Sequence, residues 1–444
     1  MTRFITGLLI GALLSMPALA QELPNKLSDA EIFNIATQID LGGDGKTADT
    51  IYYNLLASSD GDARNNSAFV LAQKAVAEER FSDAVLYFRW MLQNNPDLPR
   101  VHFDLALCYM KLGYWSRADY HLRMAMAAPD LSPDMVTLMQ TYRHLVRQNK
   151  NWGVTFNFGA APDSNVNNAV GGTECINTQY GGLCRDLNDP ESAVGYNLTL
   201  GGHYEFRLSD DWRLKSEGYI YTNIYNLHEY DDFYLSFATG PRYIWSRGDI
   251  WLAATANRRW YGWDEYSWAL GAKLDVNYDF TRRMSGALHL GYNNNAYDEF
   301  DEFLSGDTYT AFARIVYNLT PRTYITLRSG VTREDTTDTA YSYWQPSVAF
   351  GIGFDLPYDF HIYLEPSVYW SWYDSARLVA DNGALTQITE HNFTGRYSAS
   401  VSNNKFNIHG FVPAFVFSYA RRDSNIWQRE FDKFTIEFTI RQRF

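Results

Sequence analysis

The run Pro162-Asp163-Ser164-Asn165-Val166-Asn167-Asn168-Ala169 is the stretch of this sequence most like a ligand set. Asp163, Asn165 and Asn167 alternate as side-chain oxygen donors, which is how a calcium loop begins, because that ion is held by oxygens from alternating positions. Such a loop also needs a central Gly and a distant bidentate Glu, and neither follows at the required spacing. The competing reading is that Asn and Asp satisfy their own backbone in a turn. Downstream, Cys175 and Cys184 flank eight residues in a Gly-rich stretch. In an exported chain they read as a disulfide closing a small loop, with two free thiols as the alternative. Cys108, between Leu107 and Tyr109 on an apolar helical face, reads as a buried small thiol rather than a nucleophile.

Little else invites a reaction. The sequence holds no G-x-S-x-G, H-E-x-x-H or C-x-x-C, the patterns that would seat a nucleophile on an elbow or two imidazoles on one helical face. Its nine histidines are dispersed. His203, His289 and His361 fall inside strand-like stretches, where a polar side chain facing an aqueous interior needs no catalytic role. We therefore expect no enzyme and no cofactor. A net charge of −13 without any Lys/Arg cluster argues against nucleic acid, whose phosphates reward such clusters. The acidic run Asp298, Glu299, Asp301, Glu302 and Asp307 reads as a solvated loop.

Periodicity shows what would position these residues. Residues 1–20 combine Arg3, an apolar run from Phe4 to Met16 and Ala18-Leu19-Ala20, the three parts of a secretory signal peptide. Gln21 follows, so no lipid-bearing cysteine is expected there. Beyond it no stretch approaches the roughly 18 apolar residues of a spanning helix. From 28 to 148 the period is helical. Leu71, Ala72, Ala84, Phe88 and Met91 recur 34 residues later as Leu105, Ala106, Ala118, Leu122 and Ala125, the unit length of the tetratricopeptide repeat. Small side chains at those points let paired helices approach closely. Two units bury too little alone, so 29–58 and 134–148 are expected to add flanking helices.

After Asn151 the period falls to two. In 194–208, Val194, Tyr196, Leu198, Leu200, Tyr204, Phe206 and Leu208 share one face, opposite Asn197, Thr199, His203, Glu205 and Arg207. The last eleven residues, FTIEFTIRQRF, alternate as strictly. Such strands run 11 to 16 residues, longer than the 5–6 or so of soluble sheets and enough for the roughly 9–11 that cross a bilayer at a tilt. Aromatic residues reach 16 % at a mean hydropathy of only −0.34, which suits a membrane barrel with an apolar outside and a polar inside. Fourteen strands fit between 152 and 444. Short turns fall at 209–211, 246–249, 279–283, 319–322, 356–359 and 402–405, and longer connections, among them 161–192, 297–307 and 374–390, are expected to alternate with them without exception. The expected fold is two-domain α+β: an all-α tetratricopeptide-like helical domain over 21–150 and a 14-stranded antiparallel transmembrane β-barrel over 151–444.

A signal peptide, a short tetratricopeptide stretch, a first strand leading into Pro162-Asp163-Ser164-Asn165-Val166-Asn167-Asn168-Ala169 and a fourteen-strand barrel ending in Phe444 together resemble the surface lipoprotein assembly modifier family, Slam. The resemblance covers nearly the whole mature chain. It implies an outer-membrane translocon that carries client proteins, surface lipoproteins or soluble haemophore-like proteins, from periplasm to cell surface, and it implies no catalytic residues. Phe444 is similar to the signal by which the barrel-assembly machinery recognises its clients. Expected partners are the exported client, that machinery, a periplasmic chaperone and outer-membrane lipid, with the helical domain in the periplasm. The runner-up is a polysaccharide-export pore, which adjacent glycosyltransferase genes would favour. A passive solute pore would need no helical domain.

Overall fold

Alternation closes the chain into a cylinder. A computed structural model describes residues 27–381, 383–406 and 411–442; the signal peptide expected at 1–20 and the aromatic Phe444 lie outside them. Seven helices come first: α1 (Asp29–Leu41), α2 (Gly45–Leu55), α3 (Gly61–Ala77), α4 (Phe81–Asn94), α5 (Pro99–Lys111), α6 (Trp115–Met126) and α7 (Pro133–Asn149). The strands are β1 (Trp152–Asp163), β2 (Thr173–Thr178), β3 (Gly181–Asp186), β4 (Ala193–Arg207), β5 (Trp212–Tyr225), β6 (Asp232–Trp245), β7 (Gly248–Tyr261) and β8 (Asp264–Asp279). They continue as β9 (Met284–Tyr297), β10 (Gly306–Asn318), β11 (Thr323–Thr336), β12 (Tyr343–Asp355), β13 (Phe360–Asp381), β14 (Ala384–Asn403), β15 (Phe411–Ser424) and β16 (Phe431–Gln442). All but β2 and β3 form one closed barrel of fourteen antiparallel strands, with β1 paired to both β4 and β16. Closure leaves no unpaired edge, a requirement inside a hydrocarbon layer.

The two faces settle which side is wet. Along β16, Phe434, Ile436, Phe438 and Ile440 are 45, 38, 43 and 39 % exposed, whereas Thr439 between the last two is 1 % exposed. On β4, Val194, Tyr196, Leu200, Tyr204 and Phe206 are likewise exposed while Asn197 and Glu205 are buried. Greasy side chains thus look outward on strand after strand, an arrangement water would not tolerate over so large an area and lipid favours. The polar set fills the interior.

Three expectations about the connections are corrected. Long connections do not alternate without exception: β7 and β8 are joined by Gly262 and Trp263 alone, at φ of +58° and +72°, as a primed two-residue hairpin turn requires. Trp263 is held there by its indole N–H, which donates to Asp231 Oδ2 at 2.7 Å. Residues 374–390, expected as a loop, are mostly strand, since β13 and β14 pair as far as Asp381↔Ala384 after a register shift between Trp372 and Ala376. The register shift breaks the strict alternation there, which hid the strands. The 161–192 connection holds the β2–β3 hairpin, and the turn expected at 402–405 runs on into a helical turn over Asn404–Phe406, with β15 starting only at Phe411.

Contacts divide the chain into residues up to Lys74 and residues 75–444. In the first unit Ser28 caps α1 in a reciprocal box with Glu31, satisfying orphan N–H groups, and Lys74 Nζ bridges Asp40 and Asp49 at 2.6 Å each. In the second, α5 and α6 pack with Leu105, Ala106, Ala118, Leu122 and Ala125 fully buried. Ser132 caps α7 and Pro133 opens it, where a missing N–H does no harm. The His102 ring is buried, its Nε2–H donating to Pro96 O at 2.9 Å, which leaves its Nδ1 to accept from His121 Nδ1–H at 2.9 Å. Burial pushes its pKa down to about 4, so the ring stays neutral. Cys108 is buried, and burial pushes its thiol up to about 11, leaving it unreactive.

Candidate functional site: the barrel interior and the helices at its short-turn end

Alternation along β4–β9 places charged residues on one inner wall. Arg242 pairs with Glu205 at 2.6 Å and with Asp249 at 3.1 Å. Lys215 and Lys273 each approach Glu217 at 3.2 Å and stand over the Trp251 ring at 3.8 and 4.3 Å, close enough for the ring quadrupole to attract both ammonium groups. His289 Nδ1 lies 2.6 Å from Asp275. On the facing strands Arg328 pairs with Glu365, Tyr363 OH meets Thr326 at 2.9 Å, and His361 Nδ1 is 2.8 Å from Asp355. A cavity of about 710 Å³ is lined by Glu205, Lys215, Glu217, Arg242, His289 and Arg328 among them. Its chemistry is that of a polar passage. Each of these carboxylates is spoken for by a neighbour.

The helices α4–α7 are tied to the short-turn end of the barrel. Arg143 on α7 spans Asp119 on α6 at 2.8 Å and Asp279, the last residue of β8, at 2.9 Å. Arg147, one helical turn on, also pairs with Asp279 and donates to Ser246 O at 3.1 Å. Arg322 reaches Asp97 at 2.9 Å, Arg282 donates to Pro129 O at 2.9 Å, and Tyr120 OH donates to Asp355 at 3.0 Å. Gln148 Nε2 donates to Asp210 O at 3.3 Å. Arg213, fully buried, donates to Gln148 O at 2.9 Å. A cation there meets the negative end of the α7 dipole. Burial alone would raise the Asp119 carboxyl, but Arg143 and Arg123 outweigh it and hold the group below the usual carboxylate range. None of these anchors was singled out from sequence. The available signal was Arg143 and Arg147 four apart on α7 and a basic residue in several short turns.

The Pro162–Ala169 segment is a clasp at the opposite end of the β1–β16 seam. The β1–β16 register runs from Asn157↔Arg441 to Ala160↔Phe438, skips Ala161 and Pro162, and resumes at Asp163↔Thr435; Pro162 has no N–H to give. Side chains take over where the ladder lapses. Ser164 Oγ accepts from Phe434 N–H at 2.9 Å, and Lys433 Nζ lies 3.1 Å from Asp163 Oδ2. The Asn165 amide donates to Ala169 O at 2.8 Å and Asp432 O at 3.2 Å and accepts from Ala169 N–H at 2.9 Å. Asn167 donates to Asp189 O at 2.8 Å and accepts from Glu191 N–H at 3.1 Å, and Asn168 takes a positive φ of 50°. Val166 N–H donates to Glu191 O at 2.8 Å. The oxygens read as donors to calcium are thus spent on backbone N–H groups and on Lys433, and no group of three or more candidate metal ligands occurs among the described residues. Asn165→Ala is expected to lower the stability of the closed barrel by about 1–3 kcal/mol, since it orphans buried backbone groups; denaturant titration of the micelle-embedded protein would read this.

Nearby, Cys175 and Cys184 face each other across β2 and β3 and are disulfide-bonded. The hairpin leans on the β13–β14 tip, where Asn177 N–H donates to Gly383 O at 2.6 Å, and on Gln428, whose amide donates to Glu174 at 3.2 Å and to Ala380 O at 2.6 Å.

The sequence pattern of surface lipoprotein assembly modifiers matches residues 152–444, which is the barrel from its first strand residue. Surface lipoprotein assembly modifier 1 of Haemophilus influenzae is 24 % identical over 387 residues, covering 82 % of this chain and 74 % of that protein. Surface lipoprotein assembly modifier 1 of Neisseria meningitidis is 27 % identical over 210 residues, covering 47 % of this chain and 41 % of that protein. The surface lipoprotein assembly modifier of Pasteurella multocida is 20 % identical over 403 residues, covering 84 % of this chain and 76 % of that protein. With its fourteen outward-greasy strands and the pattern running their full length, this chain belongs to the surface lipoprotein assembly modifier family.

Proposed function

We propose that the protein carries client proteins, surface lipoproteins or soluble haemophore-like proteins, from the periplasm to the cell surface, and that its helices receive the client or a chaperone that delivers it. The observation that supports this best is the bonding of α4–α7 to the short turns around a polar interior. Short turns of outer-membrane barrels face the periplasm, so a client arriving from the inner membrane would meet the helices before the barrel. The barrel-assembly machinery inserts the chain, and lipid surrounds the outward Phe and Ile side chains.

Deletion of residues 21–148, with the signal peptide retained, tests the division of labour. The expected result is a barrel that still folds, recognised by its heat-modifiable mobility, and a client that no longer reaches the surface in whole-cell antibody labelling. Normal display would refute the assignment. Solute flux through liposomes of the intact protein, with no client present, would instead support a passive pore.

A further inference from the structure

Below the main cavity lies a second, of about 410 Å³, between α6–α7 and the inner wall of β6–β10. Its lining holds six Lys or Arg residues against three carboxylates, in a chain whose net charge is −13. Much of that excess is accounted for by arginines that share carboxylates, Arg123 and Arg143 on Asp119 and Arg143 and Arg147 on Asp279. Arg242 has its own pair, Glu205 and Asp249. Two cations are left over. Lys150 and Arg314 line both cavities, and no ion pair or side-chain hydrogen bond is found for either among the described residues.

Arg314 also stands directly opposite Arg328 in the β10–β11 register, a placement of like charges that destabilises a sheet unless something neutralises it. Glu365 neutralises Arg328. Among the described residues no carboxylate pairs with Arg314, which is exposed.

We propose that Lys150 and Arg314 form a binding site for an anionic group, a carboxylate or phosphate, where the two cavities meet. A planar guanidinium and a point-charge ammonium suit such oxygens. The anion could be free in solution or carried on an acidic polypeptide segment. Burial lowers the Lys150 pKa, with Asp119 and Glu205 opposing it and Arg242 and Lys215 adding to it, as expected of an ammonium without a close counter-ion. The site does not depend on the transport reading.

Lys150 itself reports occupancy. Full-length protein in detergent micelles is acetylated with a water-soluble amine reagent at neutral pH and constant ionic strength, and rates are read per lysine by peptide mass spectrometry. The probes are inorganic phosphate, acetate and a short oligoglutamate peptide. An anion in contact raises an ammonium's pKa by about one unit, so a saturating probe should slow Lys150 labelling about tenfold while exposed Lys111 keeps its rate. Protection by phosphate or acetate identifies a free-anion site, and protection by oligoglutamate alone identifies acidic polypeptide. Arg314→Gln should remove the protection, and Arg314→Lys should keep part of it. Lys150 rates indifferent to all three probes, or protection that survives Arg314→Gln, would overturn the assignment; the wild-type measurement stands whether or not the variants fold.

Discussion

Phe438→Arg is expected to destabilise the barrel by about 2–4 kcal/mol, the penalty for a cation on the lipid face near mid-membrane. Phe438 is 43 % exposed on β16, and its ring lies 5.1 Å from that of Phe415 on β15. The substitution also forfeits that aromatic contact, about a further 0.5–1.5 kcal/mol. Ser347→Arg on β12, which lines the inner cavity, is the companion variant. There an added cation meets water and carboxylates, so about 1 kcal/mol or less is expected. Both values come from guanidinium titration of protein folded into phosphatidylcholine vesicles, followed by tryptophan fluorescence. If Ser347→Arg cost more than Phe438→Arg, the charged face would lie outside and the membrane reading would fail.

Arg143→Met should loosen the helices from the barrel by about 3 kcal/mol, the lower end of what breaking a buried ion pair costs. The lower end applies because each carboxylate keeps a second arginine, Asp119 its Arg123 and Asp279 its Arg147. About 3 kcal/mol is two decades in an opening equilibrium. Amide hydrogen exchange in α6 and α7 should therefore accelerate about a hundredfold, with strand amides unchanged. Unaltered exchange would show that Arg143 does not hold the helices.

Acid tests the same joint. The folded-state pKa of Asp119 is depressed, burial being outweighed by Arg143 and Arg123. Its contribution is therefore complete above the ordinary carboxylate pKa and is lost only as pH falls through the lower folded value. The protection factors of α6–α7 amides, with each rate normalised to the intrinsic exchange rate at that pH, should stay flat from about pH 8 to 5 and fall below about pH 4.

Period, strand count and the direction of each face were legible in the chain. The ten repeat positions from Leu71 to Ala125 are all buried, and the alternation of 194–208 separates outward rings from inward Asn197 and Glu205. The outer connections were not legible: 374–390 looked like a loop because the register shift between Trp372 and Ala376 breaks the alternation that marks the rest of β13. Asp163, Asn165 and Asn167 were recognised as a group, yet their use as a clasp on β16 was hidden, since Asn165 and Asp432 stand 267 residues apart.

Periodicity is a property of neighbours along the backbone, so the sequence alone determined which residues pair into strands and which side of each strand lipid would accept. Ion-pair choice has no such local signature. Many arginines and aspartates could have met, and only the closed barrel, by bringing the end of β8 beneath α7, decided that Asp279 would take Arg147 from 132 residues away and Arg143 beside it, while leaving Lys150 and Arg314 without a counter-charge in the described structure.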